Sequence, residues 1–231
     1  MKYAKHILAA SLLTGSSSAL AQDLVNNGSF ESGFSGWVRA DQIGSDGSFL
    51  LQSGTTSPVN NFTVPSPRSG LAAAMTDSTA GGSHVLYQDI VIPSNVGVST
   101  LRFSLFINNT ATAFFTPSSL DWATPALNQQ ARVDILAAGA DPFSIAPADI
   151  LQNLFLTPSG SPPVSGYTDF AFDISALIAS RAGQTIRLRF AETDNVNAFN
   201  FGVDAVGLTV PAPATVALLA CIPLARRRRS A

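Results

Sequence analysis

Apolar and polar residues alternate along most of the chain, the signature of half-buried β-strands. In Thr185–Ala191, Ile186, Leu188 and Phe190 share one face, with Arg187 and Arg189 on the other. Tyr167–Ile174 sends Phe170, Phe172 and Ile174 inward and Asp169 and Asp173 outward. In Val98–Ile107, Leu101, Phe103, Leu105 and Ile107 oppose Arg102 and Ser104, and Arg132–Ala137 alternates Val133 and Ile135 with Arg132 and Asp134. Further strands are predicted at Trp37–Ala40, Ser48–Gln52, Leu71–Met75, His84–Ile92 and Phe201–Val210, separated by clusters of Gly, Ser, Pro and Asn. Only Pro147–Phe155 and Ser175–Arg181 read as helical. Asn108–Gln130, with Phe114, Phe115 and Trp122, is too long for a simple connection and reads as a functional loop or a missed strand. Eight or nine strands with one polar face each predict an all-β fold, a two-sheet antiparallel β-sandwich of jelly-roll type spanning residues 22–209.

The two ends depart from this pattern. Lys2 and Lys5 precede an apolar run from Ile7 to Leu13, and Ala19-Leu20-Ala21 supplies small residues before Gln22. These are the parts of a secretory signal peptide, residues 1–21, cleaved between Ala21 and Gln22. Residues 210–231 run from Pro211-Ala212-Pro213 through an apolar stretch to Arg226, Arg227, Arg228 and Arg229. Ala212–Ala225 would span about 21 Å as a helix, against a hydrocarbon core of about 30 Å. That makes a short transmembrane segment with its arginines held on the cytoplasmic side.

Composition narrows the function. Charged residues make up 12% of the chain, about half the usual share. All fifteen acids lie between the two ends and face seven arginines, so the body carries −8 against −2 for the whole chain. An acidic surface repels phosphate backbones, which argues against nucleic acid. Cys221 is the single cysteine, excluding an intramolecular disulfide and a multi-cysteine zinc site.

The tail, proline-x-proline followed by an apolar run and an arginine cluster, resembles the PEP-CTERM sorting signal of Gram-negative bacteria, with Ala212 where that family usually has glutamate. The resemblance implies passage through the Sec translocon, a membrane-tethered precursor, processing by exosortase, and release to the outer envelope or an exopolysaccharide matrix. A second resemblance lies in the body. Asn26-Asn27-Gly28-Ser29-Phe30-Glu31-Ser32-Gly33 with Gly36-Trp37 is similar to the opening of galactose-binding-like jelly rolls, several carbohydrate-binding modules among them. The stretches Ala182–Phe190 and Phe201–Val206 resemble the closing strands of that fold.

That family often holds a structural calcium ion between a first-strand glutamate and a last-strand aspartate, which implies Glu31 and Asp204 here. Two carboxylates with backbone carbonyls suit the oxygen preference of calcium. The alternation also changes phase near Asp204, as a β-bulge would cause. Trp37 begins a strand and is read as core. Trp122, beside Asp121, is the candidate sugar platform, with Tyr87 and Phe115 behind it; the alternative is a loop folded back on its own aromatics. Catalysis has little to stand on. The body holds one histidine, His84, and two glutamates, Glu31 and Glu192, with no spacing that marks an acid–nucleophile pair. The expectation is a non-enzymatic surface or matrix protein with weak carbohydrate binding. Its alternatives are a secreted polysaccharide-active hydrolase and a purely structural envelope protein.

Overall fold

The computed structural model describes residues 21–124, 126–158 and 164–211. The leader up to Leu20 and the tail from Ala212 onward, with Pro213 and Arg226–Arg229, lie outside the described residues. Among those described, no helix is long and apolar enough to cross a membrane.

The strands are β1 (Ala21–Asp23), β2 (Val38–Asp41), β3 (Ser48–Gln52), β4 (Ala73–Asp77), β5 (Gly82–Val91), β6 (Thr100–Asn109), β7 (Gln129–Ala137), β8 (Ile150–Leu156), β9 (Val164–Asp173), β10 (Thr185–Asp194) and β11 (Phe199–Pro211), with one short helix, α1 (Ser175–Ser180). One sheet runs β3-β4-β11-β6-β9, with β1 also on β11; the other runs β2-β5-β10-β7-β8. Every pairing is antiparallel. The fold is therefore a two-sheet antiparallel β-sandwich. From β4 onward the chain changes sheet at almost every connection, so both layers are built together.

The inward positions of the alternation make the core. Phe49, Phe103, Phe201 and Val203 from one sheet meet Leu86, Val133, Leu188 and Phe190 from the other. Phe103 and Phe190 touch edge to face across the layers, with centroids 5.6 Å apart at 89°. Trp37 is 6% exposed, packs on Phe30 and Phe190, and donates its indole N–H to the Asn27 carbonyl at 3.1 Å.

Two expectations are corrected, and a third, left open between loop and strand, is decided. Pro147–Phe155 is not helical, since Ile150–Leu156 is edge strand β8. Two register shifts against β7 interrupt the alternation that would have revealed it. The long Asn108–Gln130 stretch is partly strand: β6 extends to Asn109, β7 begins at Gln129, and Phe115 bridges to Gln129. The polar positions of β7 and β10 are not solvated either. Arg132, Asp134, Arg187 and Arg189 are all buried, because the connections before and after β7 fold over that face. The phase change near Asp204 does coincide with a bulge, between Asp204 and Gly207 in the pairing with β6.

Candidate functional site

The outer face of the second sheet is where polar chemistry concentrates. Arg189, fully buried, donates to Asp134 and to the carbonyls of Pro142 at 2.8 Å and Ser144 at 2.6 Å. Arg132 grips the same aspartate through Nε at 2.7 Å and Nη2 at 2.8 Å, and Asn153 adds a bond at 2.8 Å. Burial pushes the Asp134 carboxyl up, but the two guanidinium groups outweigh it and hold it below the usual carboxylate value. Arg187 pairs with Asp89, donates to the Ala140 carbonyl at 2.6 Å, and lies 4.0 Å over the Tyr87 ring. Arginines spaced two apart on β10 thus fasten the segment after β7 to the sheet by its carbonyl oxygens.

Between that segment and the one before β7 runs a groove. One part, of about 360 Å³, is lined by Gln42, Ser118, Asp121, Asp141, Phe143 and Ile145 among others. A second part, of about 570 Å³, shares Ser118 and Ile145 and adds Pro117, Gln130, Arg132 and Leu156. Asp121 is oriented by a bond from the Gln42 amide, and Gln42 in turn accepts the Trp122 N–H at 3.2 Å.

The three aromatics predicted as a sugar platform are not brought together on one surface. Trp122 lies over Gly44 and Gly81, beside the start of β5. Tyr87 is six residues further along that strand, roughly 20 Å away at about 3.4 Å per residue, with its ring covered by Arg187. Phe115 is half-buried and joined by its backbone to Gln129 at the start of β7. Phe114, its neighbour, is 2% exposed against Phe199, so the segment does fold back on part of its aromatic content.

Glu31 and Asp204 do converge, on the turn before β4. Glu31 accepts the N–H groups of Leu71 at 2.9 Å and Ala72 at 3.0 Å. Asp204, fully buried, accepts the Ser69 N–H at 2.7 Å, the Ser69 hydroxyl at 3.1 Å and the Ala205 N–H at 2.6 Å. Burial raises the Asp204 carboxyl. Oxygens that face N–H donors are poorly set for a cation, because those donors repel it. As placed, this corner suits a hydrogen-bonded clasp between the opening of the chain and its last strand. An ion would have to displace the donors.

A third cluster lies between the sheets at the end of the core. β10 continues past Ala191 to Asp194, which puts Glu192 and Asp194 on the same inward face as Leu188 and Phe190. His84 stands directly opposite Glu192 in the register. His84, Glu192 and Asp194 are 1%, 1% and 2% exposed. Their ligand atoms lie within 4.8 Å of one another. His84 Nδ1 meets Asp41 at 2.8 Å, and Asp194 accepts the Gly82 N–H at 2.8 Å. His84 Nε2 and Glu192 Oε1 are buried with no hydrogen-bond partner. Burial raises Glu192 well above the ordinary value, and raises Asp194 to about 7. In the sequence His84 and Glu192 lie far apart, with no spacing that pairs them. The one signal is continuation of the β10 alternation by two acids past the last apolar position.

No family model and no curated protein matches the chain. Among solved structures, similar chains include TmCBM61 in complex with β-1,4-galactotriose (14% identity, 81% of this chain and 97% of that one, TM-score 0.45). Another is the K3 cleaved adhesin domain of Lys-gingipain from Porphyromonas gingivalis (13%, 83% and 100%, 0.48). A third is an apo-form cyclase from Fischerella sp. (16%, 85% and 100%, 0.45). At such identities and TM-scores these likenesses carry no argument about what this chain binds or does.

Proposed function

We propose that the protein is a non-enzymatic, exported surface or exopolysaccharide-matrix protein, sorted by exosortase, which holds neutral polysaccharide weakly in the groove over the second sheet. The groove carries this reading. Its two adjoining parts fall in the size range of small-ligand sites. They combine an aromatic ring, Phe143, with Asp121, Asp141 and Gln42, side chains that can fix the orientation of sugar hydroxyls. The arginine staples keep one wall rigid before any ligand arrives, which lowers the ordering cost of binding. The acidic body favours a neutral glycan over an anionic one. Export and sorting rest on the leader and on Pro211, Pro213 and Arg226–Arg229.

Titration of purified residues 22–211 against soluble neutral and acidic polysaccharides, by affinity electrophoresis with a viscosity readout, tests it. Retardation by a neutral polymer, lost in Asp121→Ala and Phe143→Ala, is expected. Falling viscosity would instead establish a hydrolase, and the absence of any retardation would leave a structural envelope protein. Calcium at Glu31 and Asp204, implied by family resemblance, belongs to the same proposal. A melting temperature several degrees lower in EGTA, restored by added Ca²⁺ and not by Zn²⁺, is the outcome expected of the ion, and an unchanged one would leave the hydrogen-bonded clasp alone.

A further inference from the structure

We propose that His84, Glu192 and Asp194 form a binding site for a divalent transition-metal ion of the zinc class. One ligand atom from each residue lies within 4.8 Å of the others, and His84 Nε2 and Glu192 Oε1 are buried with no hydrogen-bond partner. A buried polar atom left unpaired costs free energy, and here two residues of one cluster each carry such an atom. An ion that binds nitrogen and oxygen at about 2.0–2.2 Å touches all three after a small closing of the side chains.

The second observation is independent of the cluster's composition. Asp41 accepts from His84 Nδ1 at 2.8 Å. Since a carboxylate only accepts, Nδ1 carries a proton, which leaves Nε2 as the ring nitrogen that a metal ion would take. A carboxylate behind the imidazole is the usual way a metal-binding histidine is oriented. Gly82 clears the space beside it: a Cβ there would stand 2.5 Å from Nε2.

Charge and access agree. Asp194 acts on Glu192, and Asp46 on Asp194, to disfavour a second negative charge, while His84 acts the other way on Asp194; a divalent ion offsets the two buried acids. The imidazole selects a zinc-class ion over calcium or magnesium, which prefer oxygen throughout. Asp194 also lines a cavity of about 270 Å³ with Thr79, Gly81 and Asn195, so one ligand of the cluster borders open space.

The test uses residues 22–211 and needs no glycan, so it stands or falls apart from the function proposed above. After stripping with chelator, the protein is equilibrated with Zn²⁺, desalted and measured by metal analysis; Co²⁺ is added separately and its visible absorption recorded. Expected are about one Zn²⁺ per chain, a rise in melting temperature of several degrees, and ligand-field bands for Co²⁺. Glu192→Gln, which keeps the shape, should lose the metal and the rise while its metal-free melting temperature is no lower than that of the parent. Asp194→Asn gives the same comparison should Glu192→Gln not fold. Asp41→Asn, a positioning change, should weaken binding about 10–100-fold. Zinc absent from the desalted parent, or retained equally by the folded ligand variants, overturns the proposal.

Discussion

Asp134 shows how far a single side chain can govern one face of a sheet. It accepts from two guanidinium groups and one amide, and one of those guanidiniums is itself fully buried. Removing its charge leaves Arg132 and Arg189 without their counter-ion, the costly way to break a buried pair, at about 3–5 kcal/mol. Asp134→Asn is therefore expected to lose that much stability at pH 7 in urea unfolding. The pH dependence follows from a carboxyl held below its ordinary value. The unfolded chain takes up its proton first, so the stability is present above about pH 4. It is lost as the pH falls through the folded value, so the gap between wild type and Asp134→Asn should narrow as the pH is lowered below the ordinary carboxylate range. A constant gap across that range would mean that Asp134 acts through shape alone. The sequence shows Arg132, Asp134, Arg187 and Arg189 as a charged, outward row, and the row is outward. That connecting segments would cover it is a tertiary fact with no period to announce it. The same limit hid the function of the arginines, which hold backbone carbonyls of the segment they support.

At the scale of elements, alternation located nine of the strands, most of which have one face in the core, and Ser175–Ser180 was legible as a helix. It failed where pairing is irregular, at bulged β8, and where a strand outlasts its apolar residues, at the end of β10. The opening motif, Asn26–Gly33, proves to be a corner. Asn27, at φ 52°, donates to the carbonyls of Gly33 and Ser35, and Phe30, at φ 58°, is fully buried. Gly28 is the reason the corner closes. A Cβ there would stand 1.8 Å from the Val206 carbonyl oxygen, and Val206 N–H donates back to the Gly28 carbonyl at 2.9 Å. With backbone on both sides neither can give way. Gly28→Ala is expected to cost about 3 kcal/mol or more by denaturant midpoint. Gly166→Ala, in β9 with open space around it, should be neutral or stabilising by about 0.4–1 kcal/mol. Equal effects at both sites would mean that chain entropy, and not the close approach, explains the glycine in the motif.

For the molecule as a whole, the two ends of the described chain leave the sandwich side by side. β1 pairs with the end of β11, Ala21 opposite Pro211, Gln22 opposite Val210 and Asp23 opposite Thr209. Asp23 strengthens the junction by accepting the N–H groups of Leu208 at 2.9 Å and Val25 at 3.0 Å, and Leu24 N–H donates to the Leu208 carbonyl at 2.8 Å. A leader cut after Ala21 therefore leaves Gln22 and Asp23 in place to cover the edge of the last strand, directly beside the point from which the tail departs. A cut at Val25 would remove that cover and three hydrogen bonds, each worth about 1 kcal/mol net. Residues 25–211 are accordingly expected to be less stable than residues 22–211 by about 2–4 kcal/mol in denaturant unfolding. Mass spectrometry of the exported protein should find Gln22 as its first residue. A mature chain beginning at or beyond Val25, or equal stability of the two fragments, would show that β1 contributes nothing to the exported form.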